Sequence, residues 1–393
     1  MIADDGRCTY VLPKKKRRCR MLVKSGKLFC GEHAIFDVQN EDRIPCPIDT
    51  KHTVLKSELE AHLKRCNARI GAEEWIDPDS NAIKGETRHN EKIDRRPSEE
   101  EILEIVEKVW TCYEDFVQSR LVVSQKTHSL VEKFLEENPE LGQAKRKHLV
   151  QISSIVGHLL ENNLLPTEPS TCMFELGAGK AQLAYWIAKA APEGSYLLMD
   201  RSGARNKWDN RALSETPELR MKRLRCSIEH LDLRKVDWLQ DAEKLFAVCK
   251  HFCGSATDAG IRCLLNASSK GIRFDSALLV PCCHHKSRYD EYIGREFLGN
   301  WQLDSLEAFS ALRYIASFAT NGADLRCSEA REIGQSTWRD RYPPTELGRR
   351  AKAILEMGRA EWLRSVGYET TVIEYVPARV SPENLLILAK RSS

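Results

Sequence analysis

Cysteine and histidine residues are concentrated at the start of this 393-residue chain. Five of its 14 cysteines and three of its 11 histidines fall within the first 66 residues, and they divide into two sets of four. The sets are Cys8, Cys19, Cys30 and His33, followed by Cys46, His52, His62 and Cys66. The first set has the spacing C-x10-C-x10-C-x2-H, whose last pair is as close as the ligand pairs of zinc knuckles. A segment this short cannot bury a large core, so we expect two structural zinc ions to stabilise it.

The segment LKSELEAHLKRC in the second set predicts an amphipathic helix, with a leucine every four residues. This period places His62 and Cys66 on one helix face, opposite Cys46 and His52 from the preceding loop. Four protein ligands leave no open position for water, so both predicted sites are structural. The alternative, ordinary buried cysteines and surface histidines, does not explain why both sets are complete.

Residues 1–70, here called the head, contain 15 Lys and Arg against 9 Asp and Glu, whereas the whole chain has a net charge of only +3. The stretch KKKRRCR, Lys14 to Arg20, lies around the second ligand of the first set. Two interpretations stay open: a solvated loop or nuclear-import signal, and a surface that binds phosphates. The charge distribution favours a polyanionic partner for the head.

The composition, with 42% hydrophobic and 30% charged residues, is typical of a globular protein. The first residues, MIADDGRC, are too polar for a signal peptide, and no apolar run approaches the roughly 18 residues of a membrane span. We therefore expect an intracellular protein of the nucleus, the cytoplasm or both. We also expect reduced cysteines, no membrane association and no obligate protein partner.

Changes in pattern along the chain predict the domain boundaries. Residues 71–97 are polar and have no hydrophobic period, so they predict a linker. Ser98 and Glu101 have the spacing of a capping box, which begins a helical segment over 98–165. We expect a first zinc finger at 1–40, a second at 41–70, and a catalytic domain at 166–393 with a helical insertion at about 286–365.

From residue 171 onward, short apolar runs alternate with helical ones, which predicts a doubly wound α/β sheet. Glu175, Gly177 and Gly179 form E-x-G-x-G after the first of these runs, at the edge where such sheets bind ligands. A dinucleotide site would have a third glycine where this chain has Gln182. The missing glycine counts against NAD.

Two further features favour a different nucleoside cofactor. The next strand, SYLLMD, ends at Asp200, where a carboxylate can accept both ribose hydroxyls of an adenosine. The last two apolar runs, at 371–377 and 384–390, predict a terminal antiparallel hairpin. A Rossmann-like sheet that ends in such a hairpin is the arrangement of class I S-adenosylmethionine methyltransferases.

Several segments together resemble one family. CTYVLPKKKRRCRMLVKSGKLFCGEHA resembles the CCCH finger, and IPCPIDTKHTVLKSELEAHLKRCNAR the CHHC finger, of the eukaryotic tRNA 2′-O-methyltransferases that modify nucleotide four of the acceptor stem. FELGAGKAQLAYWIA, LLMDRSGARNKWD, KHFCGSATDAGIRCL and PCCHHKSRYDEYIG resemble cofactor and active-site segments of that family, in the same order. The resemblance spans nearly the whole chain. It implies S-adenosylmethionine as methyl donor, two structural zinc ions and a tRNA substrate.

The sequence departs from that pattern on the adenine side of the cofactor pocket. After the third strand, where an acidic residue is expected to hold the adenine amino group, RLRCSIEHLDL has Ser227. Glu229 and Asp232 are the nearby acidic residues that can replace it. The expected cofactor site consists of Glu175, Gly177, Ala178, Gly179, Asp200 and Ser227.

We expect the catalytic residues just after the fourth and fifth strands. A ribose hydroxyl that attacks a sulfonium methyl is a poor nucleophile until a base or cation helps to remove its proton. The candidates are Lys250, His251, Asp258, His284 and His285. We favour Lys250 with Asp258 as the group that orients and deprotonates the hydroxyl. His285 is then a second contact to the ribose or phosphate.

The remaining cysteines predict packing rather than chemistry. The segment CCHH at 282–285 suggests a third metal site, but four consecutive residues on an extended segment alternate in direction and cannot all reach one ion. Cys249, Cys253 and Cys263 are interpreted as small hydrophobic residues of the core.

Two other functions stay open. One is a non-catalytic zinc-finger protein that binds RNA through a degenerate methyltransferase fold, for which Ser227 is the main argument. The other is a methyltransferase that acts on protein. The insertion is too long for an ordinary loop, and we expect it to cover the active site or to seat the RNA.

Overall fold

The computed structural model describes residues 6–13, 16–40, 42–50, 52–66, 69, 71, 73–83, 96–201, 207–269, 271–320 and 338–392. Lys14 and Lys15 of the basic stretch, residues 72 and 84–95 of the expected linker and residues 321–337 of the insertion lie outside them. The chain forms two compact units, Met1–Gly71 and Ala72–Ser393. Among the described helices, none combines the length and the apolar character needed to cross a bilayer.

The first unit is built from short elements. Strands β1 (Val11–Leu12) and β2 (Arg17–Arg18) form one antiparallel hairpin, and β3 (Arg43–Pro45) and β4 (Thr53–Leu55) form another. Helix α1 (Leu59–Leu63) follows β4 after one 3-10 turn. The segment that the sequence predicts as one helix is therefore α-helical for little more than a turn.

The second unit contains an eight-stranded sheet. Its strands are β5 (Leu121–Val123), β6 (Thr171–Leu176), β7 (Ser195–Met199), β8 (Arg220–Leu224), β9 (Lys244–Cys253), β10 (Ser276–Cys282), β11 (Tyr368–Glu374) and β12 (Leu385–Arg391). Their order in space is β5-β11-β12-β10-β9-β6-β7-β8. The strands from β10 to β8 are mutually parallel, whereas β12 is antiparallel to both β10 and β11. This arrangement confirms the predicted Rossmann-like sheet with a terminal antiparallel hairpin.

The edge strand β5 was not predicted from the sequence. It pairs in parallel with β11, through only three residues. Strand β5 follows helix α2 (Glu99–Cys112), which begins with the predicted capping box. In that box, Ser98 Oγ accepts from the Glu101 amide, and the Ser98 amide donates to the Glu101 carboxylate.

Helices cover both faces of the sheet. After α2 they are α3 (Ser129–Glu137), α4 (Gln143–Glu161), α5 (Gln182–Ala190), α6 (Trp208–Glu215), α7 (Ser255–Ser268), α8 (Arg295–Gly299), α9 (Leu306–Ala316), α10 (Trp338–Arg341) and α11 (Pro344–Ser365). Side chains alternate along a strand, so Phe174 packs in one core with α2, α7, α9 and α11, and Met173 in another with α3, α4 and α5. Helices α8, α9 and α11 of the insertion thus also contribute side chains to the core.

The strand order reverses beside β6. After β6 the chain adds β7 and β8 on one side, and then crosses back to β9 on the other side. Open α/β sheets bind ligands outside the carboxyl ends of their strands at such a reversal. Leu176 lies beside Cys249 there, so Gly177 and Lys250 follow directly on neighbouring strands.

Candidate functional site

The first predicted ligand set converges on one point. The ligand atoms of Cys8, Cys19, Cys30 and His33 all lie within 4.8 Å of one another. The sulfur atoms of Cys8 and Cys30 are each 3.4 Å from His33 Nδ1. Zinc bonds of about 2.3 Å to sulfur and 2.0 Å to nitrogen place such ligand atoms about 3.5 Å apart in a tetrahedron. The donor set and its spacing therefore fit zinc.

The second set converges in the same way. Cys46 and Cys66 sulfurs are 3.8 Å apart, and His52 Nε2 is 3.2 Å from His62 Nε2. Two ligands come from the β3–β4 hairpin and two from α1 and the residues after it. Mixed thiolate and imidazole donors with this spacing also fit a tetrahedral zinc ion.

The glycine turn after β6 is joined to the end of β7. Gly177 and Gly179 have φ values of 65° and 51°, in the left-handed region that favours glycine. The Gly179 amide donates to Asp200 Oδ2 over 2.8 Å, and the Ala178 amide donates to the Met199 carbonyl over 2.8 Å. A Cβ at Gly177 would lie 2.6 Å from the Phe252 ring. Gly177 therefore has no room for a side chain, and the turn presents its backbone at the ligand-binding edge.

Glu175 lies below this turn and is only 3% exposed. Its carboxylate accepts from the Ala184 amide in the first turn of α5, over 3.2 Å. Burial raises the pKa of Glu175 to about 8, against the opposing effects of Arg223 and the Ala184 amide. The carboxyl group is thus largely protonated at neutral pH.

The structure distinguishes the two acidic residues proposed to replace Ser227. Ser227 Oγ donates to the Glu229 carboxylate. Asp232 is buried and forms an ion pair with Arg234, at 2.6 Å between Nη2 and Oδ2. Ser227 and Glu229 therefore form a unit after β8, whereas the Asp232 carboxylate is engaged elsewhere.

Lys250, at the carboxyl end of β9, is 8% exposed and contacts a histidine that the sequence did not reveal. Its Nζ atom is 2.7 Å from Nδ1 of His148 on α4. Burial lowers the pKa of Lys250 to about 7. Burial, and then the charge of Lys250, lower the pKa of His148 to about 4. His148 is therefore neutral at pH 7, and its ring can accept a hydrogen bond from the amine.

The sequence analysis expected Asp258 to act together with Lys250. The structure does not bring these two side chains together. Asp258 is fully buried, and Arg359 donates to both of its oxygens, over 3.0 and 2.8 Å. The amide of Ile293 also donates to Asp258, over 3.4 Å. The partner of this carboxylate is thus an arginine of α11, which keeps it inside the core.

The two neighbouring histidines have different surroundings. His284 is buried, with Nε2 2.6 Å from the carboxylate of Glu356. His285 is exposed, and its carbonyl accepts from Arg313 Nη1 over 2.8 Å. Burial of the ring and the nearby Lys286 lower the pKa of His285. Of the two side chains, only that of His285 is open to a ligand from solvent.

Of the three cysteines predicted to lie in the core, Cys253 does not. Cys249 and Cys263 are buried in the core, as expected. Cys253 is partly exposed, and its sulfur is 3.2 Å from that of Cys282. The register of the parallel strands causes this contact, because Cys253 lies directly beside Cys282.

Models of known protein families match three parts of the chain. The model described as "Methyltransferase TRM13" matches residues 150–390, which is more than half of the chain. The chain belongs to the TRM13 methyltransferase family. The model described as "CCCH zinc finger in TRM13 protein" matches residues 6–34, and the "U11-48K-like CHHC zinc finger" matches residues 43–67. Each finger match contains one complete ligand set.

Relatives of the TRM13 family match over almost the full length. A Kluyveromyces lactis protein named "tRNA:m(4)X modification enzyme TRM13" is 30% identical, with 99% of this chain and 96% of that protein covered. The Homo sapiens "tRNA:m(4)X modification enzyme TRM13 homolog" is 29% identical, with 98% and 94% covered. These alignments therefore span both the zinc-finger segments and the body of this chain.

The TRM13 match includes Lys250 and all predicted cofactor residues but begins two residues after His148. In the sequence, His148 lies in the helical segment predicted over 98–165, to which we assigned no chemistry. The available signal was a histidine next to the apolar part of a predicted helix. That signal is weak, because a buried histidine usually serves the core alone.

Proposed function

We propose that this chain transfers a methyl group from S-adenosylmethionine to the ribose 2′-hydroxyl of nucleotide 4 in the tRNA acceptor stem. One observation carries the proposal: the Lys250–His148 pair lies beside the glycine turn at the reversal of strand order. The names of the relatives, which describe tRNA modification enzymes, support tRNA as the substrate.

The cofactor would be held by the turn and by the ends of the next two strands. The backbone of Gly177 and Gly179 allows close approach, and Asp200 can accept ribose hydroxyl hydrogens. Ser227 with Glu229 is the polar unit available for the adenine amino group. When bound, S-adenosylmethionine supplies a methyl group made electrophilic by the positive sulfonium.

Lys250 would accept the proton of the 2′-hydroxyl. An ordinary lysine is protonated at neutral pH and cannot act as a base, but a pKa of about 7 leaves about half of the amines neutral there. His148 is a positioning residue, because its ring nitrogen accepts from the amine and fixes its direction. His285 would be a second contact to the ribose or phosphate, because its side chain is exposed.

The head would bind the RNA. The two zinc sites fix its short hairpins, and β2 consists of Arg17 and Arg18. Duplex RNA is recognised mostly by shape and through phosphate and 2′-hydroxyl contacts. A zinc-fixed surface of this kind can select a nucleotide by its distance from the end of the stem.

The double variant Arg17→Ala/Arg18→Ala should raise the KM for tRNA several-fold. Each arginine that contacts a phosphate displaces a counterion from the RNA when it binds, and the variant loses this favourable contribution. The dependence of log KM on log salt should become shallower by about one unit for each lost contact. Steady-state methylation between low and moderate salt measures both effects. The matched control, Lys64→Ala/Arg65→Ala, removes equal charge from exposed residues at the end of α1. Equal changes in both variants would argue against a specific role of the hairpin.

Gly177→Ala should weaken cofactor binding about tenfold more than Gly179→Ala. Both substitutions place alanine at a positive φ, which costs about 1–2 kcal/mol. Only the Gly177 variant adds a clash, because its Cβ would lie 2.6 Å from Phe252, whereas the nearest atom at Gly179 is 4.0 Å away. Calorimetric titration with S-adenosylhomocysteine measures the affinities, and thermal melting checks the fold. Equal affinities of the two variants would contradict the proposed site.

The reaction itself is tested with methyl-labelled S-adenosylmethionine and tRNA, followed by alkaline hydrolysis. A methylated 2′-oxygen cannot attack the adjacent phosphodiester, so the proposal expects label in an alkali-resistant dinucleotide. Label in protein would support the alternative protein methyltransferase. Absence of label, despite bound cofactor and RNA, would support the non-catalytic alternative.

A further inference from the structure

A third cluster of cysteine sulfurs lies in the body, at the carboxyl ends of β9 and β10. The sulfurs of Cys253, Cys282 and Cys283 all lie within 4.8 Å of one another. The distance is 3.2 Å from Cys253 to Cys282 and 3.7 Å from Cys282 to Cys283. Cys253 and Cys283 are partly exposed, so the cluster is open to solvent on one side.

The local backbone brings these sulfurs together. The β9–β10 register shifts between Val280 and Pro281, and it then pairs Cys282 with Cys253. Two consecutive residues of an extended strand would point in opposite directions. Cys283 instead adopts a left-handed conformation, with φ 52° and ψ 46°, which turns its sulfur towards that of Cys282. Residues with a side chain rarely adopt this conformation, so the surrounding structure specifies the arrangement.

The following turn is packed against β9. Gly254 has φ 55°, and a Cβ there would lie 2.7 Å from the backbone of Lys286. Lys286 is thus held close to Gly254, whose amide also donates to the Cys282 carbonyl over 2.9 Å. The three sulfurs therefore lie on backbone that is fixed from both strands.

Two thiolates on a tetrahedral zinc ion are about 3.8 Å apart, which is also the distance from Cys46 to Cys66 in the second zinc set of the head. The 3.7 Å from Cys282 to Cys283 matches this spacing, whereas the 3.2 Å from Cys253 to Cys282 is shorter and would lengthen on binding an ion. Thiolates are the soft donors that thiophilic cations prefer. Among the described residues, no fourth Cys, His, Asp or Glu belongs to the cluster, since His284 is turned to Glu356. Three donors leave one coordination position for a ligand from outside the cluster.

We propose that Cys253, Cys282 and Cys283 bind a thiophilic divalent cation, zinc, as a third metal site of this chain. Binding exchanges the thiol protons for the metal ion, and these protons are released to solvent. The ion would join the end of β9, three residues beyond Lys250, to the turn that carries His285. This site goes beyond the proposed function and does not depend on it.

The test is the zinc content of the full-length protein, measured by elemental mass spectrometry against protein concentration. The wild type should contain about three zinc ions per chain, and Cys253→Ala about two. Cys283→Ala should also lose one ion, and both altered residues are partly exposed, so the fold should tolerate them. The control Cys249→Ala changes a buried cysteine of the same strand and should keep the wild-type content.

Equal zinc content in the wild type and Cys253→Ala would overturn the proposal. A mass about 2 Da below that of the reduced chain, abolished in Cys253→Ala, would also overturn it, because it would show a disulfide instead of a metal site. Because only the difference between variants counts, incomplete loading of the head sites does not affect the result. Methyl transfer is not the readout, so failure of the proposed reaction would leave this result unchanged.

Discussion

Lys250→Ala should lower the rate of methyl transfer to tRNA by roughly a hundredfold or more, the usual contribution of a positioned general base. The reason is the environment of the amine at the end of β9, where burial lowers its pKa to about 7. The variant should still bind cofactor, because the glycine turn and Asp200 do not use Lys250. Single-turnover rates and calorimetric titration separate the two effects.

A general base at Lys250 also determines how the rate of methyl transfer depends on pH. A base with a pKa of about 7 is inactive when protonated, so the wild-type rate should rise with pH through about 7 and then level off. In Lys250→Arg a permanent charge replaces the neutral amine, and this rise should disappear together with most of the activity. A Lys250→Arg variant with the wild-type rate and pH profile would exclude proton transfer through this residue.

Substitutions of His148 test whether its ring positions the Lys250 amine. His148→Ala removes the acceptor that lies 2.7 Å from the lysine Nζ, and it should lower the rate about tenfold without changing the affinity for cofactor. His148→Asn keeps an acceptor oxygen near the position of Nδ1 and should recover much of the loss. If the asparagine and alanine variants were equally slow, the hydrogen bond would not be what positions the amine.

The features that the sequence predicted correctly depend on residues close together in the chain. Consecutive ligands at most 11 positions apart identify the zinc sets, and the E-x-G-x-G turn joins consecutive elements β6 and α5. The strand pattern also predicted the α/β class and the terminal hairpin. Each of these features can be recognised from a short window, because local geometry alone determines it.

The features that the sequence did not reveal depend on distant residues. His148 and Lys250 are 102 positions apart, and Asp258 and Arg359 are 101 positions apart. Asp258 was assigned to catalysis because it follows the fourth strand, but its phase on α7 points it into the core towards α11. Cys253 was assigned to the core because the bulge and the left-handed Cys283 beside it leave no pattern in the sequence.

Asp258 belongs to a buried network of charged side chains in which Arg359 is the shared cation. Arg359, 1% exposed, also donates to Glu356 over 2.8 Å and thus neutralises two buried carboxylates. Arg359 and His284 lower the pKa of Glu356 although burial opposes them. Arg359→Met would leave both acidic groups without their cation. Removing one partner of a buried pair typically costs about 3–5 kcal/mol, so we expect a loss of that size in the free energy of unfolding.

Denaturant unfolding at pH 7 measures this loss, with Lys133→Ala as control. That variant removes the exposed Lys133–Glu137 pair, at 3.8 Å, and should change stability by less than about 1 kcal/mol. The network should also weaken in acid, since a carboxyl with a lowered pKa contributes stability above its unfolded pKa and loses it as pH falls through the folded value. The difference between wild type and Arg359→Met should therefore shrink below about pH 4.

Asp258→Asn separates the structural role of this carboxylate from the catalytic role that its sequence position suggested. Asparagine fills the same space, and Arg359 keeps Glu356 as a partner, so the loss of stability should be smaller than in Arg359→Met. Well below its unfolding temperature, the variant should transfer methyl groups within a few-fold of the wild-type rate, with the same pH dependence. A hundredfold lower rate in fully folded protein would return Asp258 to the chemistry. The structure predicts the opposite, because both oxygens of that carboxylate already accept hydrogen bonds from Arg359.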